Sequence, residues 1–324
     1  MVTAAESYDS PLKSICYLIG SVFVFSLQDV IIKWISGKYP VHEIVLVRSF
    51  FAIIPLLFIA KLEGGLYLLR TKHYVEHIIR SFLLFGAYIG FYLSLAVLPL
   101  AETVSIFFSA PIFITILSVI LLGEKVEFRN WIAVLIGFFG VIIMLRPSSK
   151  MVEPAAFLAL LAAFLYAIVS IITRKLGKTE NGVSLAFYPT VMYIIFSTIL
   201  SISLNNISIT PKYHPRWAFL FREWQLPSQG DLFLFIIIGL IAAAGFYFLS
   251  QAYRLGQPST IAPFEYIAVP LSVVWGYVFW NDILESHSVI GMVLIVGSGL
   301  YIFGSKKILT TKYVLSIFKI KIRR

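Results

Sequence analysis

The stretch that decides the fold is Gly90-Phe91-Tyr92-Leu93-Ser94-Leu95-Ala96, which closes a long apolar run of the chain. A similar stretch closes a second apolar run much later and reads Gly245-Phe246-Tyr247-Phe248-Leu249-Ser250-Gln251-Ala252. The two stretches match once a single inserted residue is allowed in the second. This match predicts that the two halves of the chain share one structural plan.

The features that follow the two stretches come in the same order. A proline lies within the next apolar run, Pro111 in the first half and Pro270 in the second. Each run then ends at an acid, Glu124 or Asp282. A glycine-rich apolar run follows each acid, with Gly137 and Gly140 in the first half and Gly291, Gly297 and Gly299 in the second. The shared order predicts an internal repeat.

Ten apolar runs are long enough to cross a membrane, since about 20 helical residues span a hydrocarbon core of roughly 30 Å. Their predicted limits are 14–35, 42–62, 74–97, 100–122, 129–146, 154–174, 184–204, 231–254, 258–280 and 286–305. Each span must be helical, because lipid offers no partner to an open backbone group. We therefore predict an all-α integral membrane protein with ten transmembrane helices.

The composition excludes several other classes of protein. Of the 324 residues, 59% are hydrophobic and only 13% are charged, with a mean hydropathy of +0.91. A soluble domain is usually about a quarter charged, so a soluble enzyme and a nucleic-acid-binding domain are both excluded. The single cysteine, Cys16, leaves no internal disulfide framework.

Five spans in each half is an odd number, so the second half enters the membrane from the opposite side. Two similar halves of opposite topology are typical of secondary transporters, with a binding site near the midplane between them. The predicted units are residues 1–149, residues 150–305 with a long outer loop at 205–230, and a basic tail at 306–324.

The basic residues predict the orientation. With the N-terminus in the cytoplasm, 17 Lys and Arg fall on the cytoplasmic side and 7 on the outer side, as the positive-inside rule requires. Both termini are therefore predicted to be cytoplasmic, in a bacterial inner membrane. The tail mixes apolar with basic residues and is expected to contact anionic membrane lipid.

The order of features resembles the EamA-like family of the drug/metabolite transporter superfamily, over about Ile15 to Gly304. In the first half the matching stretches are Leu98-Pro99-Leu100-Ala101-Glu102, Pro111, Leu122-Gly123-Glu124-Lys125, Gly137 and Gly140. In the second half they are Pro263-Phe264-Glu265-Tyr266, Pro270 and Trp280-Asn281-Asp282. Asp282 departs mildly, since the family more often has Glu there.

The resemblance implies ten helices in two inverted five-helix repeats and transport of a small organic solute. It leaves the solute open among amino-acid-like, vitamin and nucleoside-type compounds. Asp29-Val30 with Lys33, and Arg80-Ser81-Phe82-Leu83-Leu84-Phe85, are similar to the S-adenosylmethionine-uptake branch of the superfamily.

Glu265 is the foremost candidate for a binding residue. Ionisable residues within a membrane cost about 2.5–3.5 kcal/mol on insertion scales, so they tend to mark pathways. Pro263 and Pro270 flank Glu265 and, like Pro111, are predicted to break their helices and free backbone carbonyls at a cavity. Glu265 could bind a cationic group or carry a coupling proton. The alternative is a structural pair with Arg48 or Arg80.

Four further charged residues within the predicted spans are candidates for binding. Arg48 and Arg80 could each bind a carboxylate or phosphate of the solute, although Arg80 is closer to the cytoplasmic end and could instead reach the interface. Asp29 and Lys33 are four residues apart on one helix face. Such spacing favours a pair that neutralises itself, and solute binding is the alternative.

Three tyrosines near the midplane, Tyr92, Tyr247 and Tyr266, are candidates for a cavity wall that stacks on a planar or cationic group, with plain packing as the alternative. His73 and His77 have a metal-like spacing but no third ligand. We expect neither a metal nor a cofactor, and no nucleotide-binding loop is present.

The long outer loop carries Trp217 and Trp224 and is interpreted either as an interfacial segment or as a lid over a solute path. The leading functional hypothesis is a transporter, monomeric or dimeric, that moves a small organic metabolite by alternating access, with protons as a candidate coupling ion. The alternative is a multi-span enzyme acting on a lipid or lipid-linked substrate.

Overall fold

A computed structural model describes residues 11–98, 100–145, 154–205, 218–281 and 286–305. Asp282, the tail 306–324 and residues 206–217 of the outer loop lie outside these ranges. Within them every regular element is helical. The α-helices are α1 (Pro11–Ile35), α2 (Val41–Glu63), α3 (Tyr74–Val97), α4 (Leu100–Phe107), α5 (Ala110–Leu122), α6 (Phe128–Leu145), α7 (Pro154–Leu176), α8 (Gly182–Asn205), α9 (Ala218–Phe221), α10 (Gln229–Leu255), α11 (Pro258–Ile261), α12 (Ala268–Trp280) and α13 (Ser286–Ser305).

Among the described residues, seven helical segments are long and apolar enough to cross a membrane: α1, α2, α3, α7, α8, α10 and the composite segment Pro258–Trp280. Two shorter apolar helices occupy the positions of the predicted fourth and fifth spans, α5 and residues 128–140 of α6. The first three predicted spans agree with α1, α2 and α3 to within three residues at each end. The chain is an all-helical, multi-pass membrane protein.

The predicted fourth span is two helices rather than one. The first, α4, ends at Phe107, and α5 begins at Ala110 after a tight turn at residues 108–109. Pro111 lies in the first turn of α5, where a residue without a backbone N–H sacrifices no helical hydrogen bond. The proline therefore starts the second helix.

The predicted ninth span is interrupted over a longer stretch. It consists of α11, a 3-10 helix at Ala262–Ile267, and α12. Pro263 lies at the start of the 3-10 helix and Glu265 within it. Pro270 lies in the first turn of α12, so the interruption precedes it. The irregular backbone thus falls directly at the candidate acid.

The extensive helix contacts join the first half of the chain to the second. Helix α1 packs against α10, α3 against α7, α2 against α8, and the glycine-rich helices α6 and α13 against each other. Buried side chains from both halves form one apolar core between these pairs. The interior of the molecule is therefore the boundary between the halves.

Gly137 permits one of these close approaches. A Cβ atom at this position would lie 2.4 Å from Cε2 of Tyr266 and 3.0 Å from Oγ of Ser298 on α13. The first distance is far inside van der Waals contact, and the Tyr266 ring is fully buried. Only glycine leaves room for the ring between α6 and α13.

We predict that Gly137→Ala lowers the apparent melting temperature of the detergent-solubilised protein, because overpacking a filled core costs about 1–3 kcal/mol. Gly297→Ala is the matched control, since a Cβ there meets nothing within 4 Å. That variant should be neutral or slightly stabilised, because alanine favours a helix by up to about 1 kcal/mol. Equal melting temperatures for the two variants would refute this view of the α6–α13 contact.

Candidate functional site

A cavity lies in the middle of the helical core. Its empty volume, including the part open to its surroundings, is about 1000 Å³. Residues of both halves line it, from α1, α3, α4, α7, α8, α10, α12 and the 3-10 helix before α12. Its wall is largely aromatic, with rings from Phe25, Tyr88, Phe91, Tyr92, Phe107, Phe108, Tyr166, Tyr193, Phe246 and Trp275.

Two carboxyl groups interrupt this aromatic wall. Asp29 projects from α1 and Glu265 from the 3-10 helix. Among the described residues that line the cavity, these are the only charged side chains, and neither lysine nor arginine occurs. The cavity therefore offers acidic groups and π-faces to a bound molecule, a combination that favours a cation.

Asp29 is held by a tyrosine of α3. The Tyr92 hydroxyl donates a hydrogen bond to Asp29 Oδ1 at 2.5 Å. Gln28 Nε2 donates in turn to the Tyr92 hydroxyl oxygen at 3.1 Å. Asp29 thus has a tyrosine as a partner, and Lys33 Nζ lies 5.7 Å from the ring centroid of Trp280.

Arg48 lies behind the wall and does not line the cavity. Its side chain has no exposed surface, and its Cζ is 4.1 Å from the ring centroid of Tyr88, which does line the cavity. Arg48 Nη1 donates to Gln28 Oε1 at 2.9 Å. In this conformation the aromatic layer separates the Arg48 guanidinium from the cavity. The predicted direct contact between Arg48 and an anionic group of the solute is therefore blocked.

Glu265 is held by two tyrosines from different helices. The hydroxyls of Tyr166 and Tyr253 both donate to its Oε1, at 2.6 and 2.5 Å. The side chain is only 3% exposed, and within the described part of the chain Oε2 has no hydrogen-bond partner. The structural alternative, a pair with Arg48 or Arg80, is therefore not the arrangement seen.

Arg80 ties helices together away from the cavity. Its Nε donates to Thr173 Oγ1 and its Nη1 to the Leu185 carbonyl, both at 2.7 Å. The side chain is buried, so it does not extend to the interface as its position near the helix end suggested. Its hydrogen bonds join α3 to α7 and α8.

Two of the three predicted wall tyrosines also lie elsewhere. The Tyr247 hydroxyl donates to the Glu63 carboxylate, and the fully buried Tyr266 donates to the Val134 carbonyl at 3.2 Å. Neither lines the cavity, whereas Phe246 does. Successive residues of a helix point about 100° apart, so an error of one position turns a predicted wall residue away from the cavity.

Three residues around the two acids are missing from the binding residues predicted from the sequence. Gln28, which precedes Asp29, lines the cavity and links Tyr92 to Arg48. Tyr166 and Tyr253, which hold Glu265, are not among the predicted binding residues either. The available signal was a polar side chain beside an intramembrane acid, which identifies Gln28 but neither tyrosine.

The described part of the outer loop packs against the turn between α1 and α2. Arg222 Nη1 donates to the Ser36 carbonyl at 2.6 Å, and burial lowers the pKa of Arg222. The Tyr39 hydroxyl donates to Asp231 Oδ2 at 2.8 Å. Burial, and then this hydrogen bond, raise the pKa of Tyr39. The segment is therefore fixed to the first half of the chain.

The two histidines with the metal-like spacing, His73 and His77, contact different residues. His77 stacks on Tyr188, with ring centroids 4.2 Å apart, while His73 Nδ1 lies 3.4 Å from Glu76 Oε1. In the ranges that the structure describes, no group of three His, Cys, Asp or Glu side chains could hold a metal ion.

The model of the EamA-like transporter family matches residues 12–146 and 153–304. This chain belongs to the EamA-like transporter family. Among family relatives, the S-adenosylmethionine uptake transporter of Rickettsia prowazekii is 26% identical over 303 residues, which cover 93% of this chain and 96% of the relative. The riboflavin transporter of Vibrio cholerae is 26% identical over 299 residues, or 90% of this chain and 93% of the relative.

A solved crystal structure shares the fold of this EamA-like chain. It superposes with a TM-score of 0.70 at 16% identity and covers 91% of this chain and 99% of the other. The family and the names of the relatives support a transporter of a small metabolite. They do not favour the alternative of a membrane enzyme that acts on lipids.

Proposed function

We propose that this protein moves a small organic cation with a planar ring across a bacterial inner membrane, by alternating access through the central cavity. The observation that carries the proposal is the pair of carboxyl groups, Asp29 and Glu265, in a wall otherwise made of aromatic and uncharged side chains. A positive group gains from both carboxylates, and a planar ring gains from stacking on the wall.

The helix contacts support two inverted halves, residues 1–149 and 150–305. The set of packed helix pairs stays the same when each helix is exchanged with its counterpart in the other half. The counterparts are α1 and α7, α3 and α10, α2 and α8, and α6 and α13. The contact of α1 with α10 maps onto that of α7 with α3, and the pairs α2–α8 and α6–α13 map onto themselves. With ten spans, this is the arrangement of transporters in which one half rocks against the other.

Polar contacts between the halves support a closed cytoplasmic side in this conformation. Glu180, at the turn between α7 and α8, accepts a hydrogen bond from Thr71, which precedes α3. Asn181 Nδ2 donates to the Leu68 carbonyl at 2.6 Å, and the Tyr188 hydroxyl donates to the Leu69 carbonyl at 2.7 Å. These bonds must break if the cavity is to open to the cytoplasm.

The placement in the membrane rests on charge and on the relatives. The excess of basic residues on one side favours cytoplasmic termini. The relatives named above are bacterial proteins, which supports the inner membrane of a bacterium. In this orientation the Thr71–Glu180 contact faces the cytoplasm and the Arg222 segment faces outward.

The names of two relatives suggest two different solutes, and the lining of the cavity favours one of them. S-adenosylmethionine joins a sulfonium cation to an adenine ring, whereas riboflavin has a planar ring system without a positive charge. The two acids and the absence of a basic side chain among the described wall residues favour the first type of solute. We propose S-adenosylmethionine or a solute of the same chemical type.

We also propose that Glu265 carries a coupling proton. It is buried, its Oε1 is held by two hydroxyls, and its Oε2 has no partner among the described residues. A carboxyl group in this setting can exchange a proton for a solute cation without rearranging its helix. We assign the solute cation to Asp29, whose Oδ1 accepts a hydrogen bond from Tyr92 in the cavity wall.

We predict that the purified protein in proteoliposomes takes up S-adenosylmethionine and binds it at least about tenfold more tightly than riboflavin.

Asp29→Asn should weaken binding roughly 10- to 100-fold, because a hydrogen bond to a charged group is worth about 1.5–3 kcal/mol. Glu127→Gln, which alters an exposed acid in the α5–α6 turn, should leave binding unchanged. Conversion of a lipid substrate without any solute uptake would overturn the transporter assignment.

We predict that Glu265→Gln abolishes the stimulation of uptake by a pH gradient, because an amide cannot take up and release the coupling proton. The measurement is counterflow and gradient-driven uptake of S-adenosylmethionine at a series of internal and external pH values. Solute exchange without a gradient should persist in the variant, and Glu127→Gln should keep the wild-type response. A pH response that survives in Glu265→Gln would exclude Glu265 as the proton carrier.

A further inference from the structure

A chain of hydrogen bonds leads from the buried Arg48 to the cavity. Arg48 Nη1 donates to Gln28 Oε1 at 2.9 Å, Gln28 Nε2 donates to the Tyr92 hydroxyl at 3.1 Å, and that hydroxyl donates to Asp29 Oδ1 at 2.5 Å. The first two members are buried, and the last lines the cavity. The chain therefore connects a charge behind the wall with a charge on its surface.

The chemistry of its members allows this chain only one direction. A guanidinium has donors but no acceptor, so the oxygen of the Gln28 amide must face Arg48. The amide nitrogen then faces Tyr92 and donates to its oxygen. The hydroxyl of Tyr92 has a single proton, and with Gln28 as a donor that proton is directed to Asp29.

We infer that Arg48 is a positioning residue that directs the Tyr92 proton onto Asp29 and thereby fixes this carboxylate in the cavity wall. This role rests on the proposed function, since it gives Asp29 its orientation toward a solute cation. Without Arg48 the Gln28 amide can turn over and accept the Tyr92 proton itself. Asp29 then loses its hydrogen bond although no residue that contacts the solute has changed.

The surroundings of Arg48 separate it from the solute, so that it can act on the solute only through neighbouring residues. Its Cζ lies 4.1 Å from the ring centroid of Tyr88 and 5.6 and 5.5 Å from those of Tyr193 and Phe246. These three rings line the cavity and separate the guanidinium from any solute. Nε and Nη2 have no hydrogen-bond partner in the described chain, so Gln28 is the acceptor that orients the group.

The test is infrared spectroscopy of the full-length protein in lipid, with no solute added. The infrared bands of the Asp29 carboxylate are assigned as those that disappear when Asp29→Asn is introduced into the wild-type protein or into each variant. Tyr92→Phe should shift them, because it deletes their hydrogen bond, and Arg48→Met should shift them in the same direction. Arg48→Lys, which can still donate to Gln28, should keep the bands near the wild-type position.

Arg80→Met is the matched control, since Arg80 is equally buried but bonds Thr173 and Leu185 instead. That variant should leave the Asp29 bands unmoved. If Arg48→Met does not fold, Gln28→Glu replaces it: its carboxylate pairs with Arg48 and accepts the Tyr92 proton, so the Asp29 bands should again shift. Bands that stay at the wild-type position in these folded variants would overturn the role of Arg48.

A second measurement uses S-adenosylmethionine as the probe. Arg48→Met and Tyr92→Phe should each weaken its binding by about the same factor, and the double variant should bind no more weakly than either. Losses that multiply would contradict an action through Tyr92. If the wild-type protein does not bind this probe, the proposed solute is wrong, and the infrared measurement still decides the role of Arg48.

Discussion

The structure depends on the cost of leaving a polar group unpaired in a membrane. Each unsatisfied hydrogen-bonding group costs several kcal/mol in hydrocarbon, so every intramembrane acid needs partners. This protein supplies tyrosine hydroxyls rather than basic side chains: Tyr92 for Asp29, and Tyr166 with Tyr253 for Glu265. Because these partners are neutral, they do not cancel the charge that either acid carries when it is ionised.

Two arginines within the spans bind other residues of the protein and not the cavity. Arg80 joins α3 to α7 and α8, and Arg48 lies behind the aromatic wall, bound to Gln28. Their positions keep positive charge out of the described cavity lining. A solute cation therefore meets acidic groups and rings only, while the two arginines stabilise the helices that present them.

The interrupted ninth span connects the fold to the proposed transport. The 3-10 helix Ala262–Ile267 places Glu265 in the cavity wall, where Tyr166 of α7 and Tyr253 of α10 hold it. Short irregular backbone can change conformation more readily than a continuous helix. Because Tyr166, Tyr253 and Glu265 all belong to residues 150–305, a relative movement of the halves would leave these two hydrogen bonds in place and change what faces Glu265 across the cavity.

The sequence predicted the long helices well, because an uninterrupted apolar run of about 20 residues has few other solutions. It also offered Glu265 and Tyr92 as candidates for the cavity, and Asp29 only as the alternative to a pair with Lys33, since intramembrane polar groups differ clearly from an apolar background. It could not predict that Tyr266 and Tyr247 point away from the cavity, because helix rotation depends on packing against neighbours. Nor could it identify Tyr253 or the depth of Arg48, which result from contacts between distant segments.

The most direct test of this account is a cryo-electron-microscopy structure of the protein with S-adenosylmethionine bound. We expect density in the central cavity, with the sulfonium and amino groups near the carboxylates of Asp29 and Glu265 and the adenine ring against the aromatic wall. Arg48 should remain behind Tyr88, without contact to the solute. Density for the solute outside the cavity, or with its carboxylate bound to Arg48, would contradict the account.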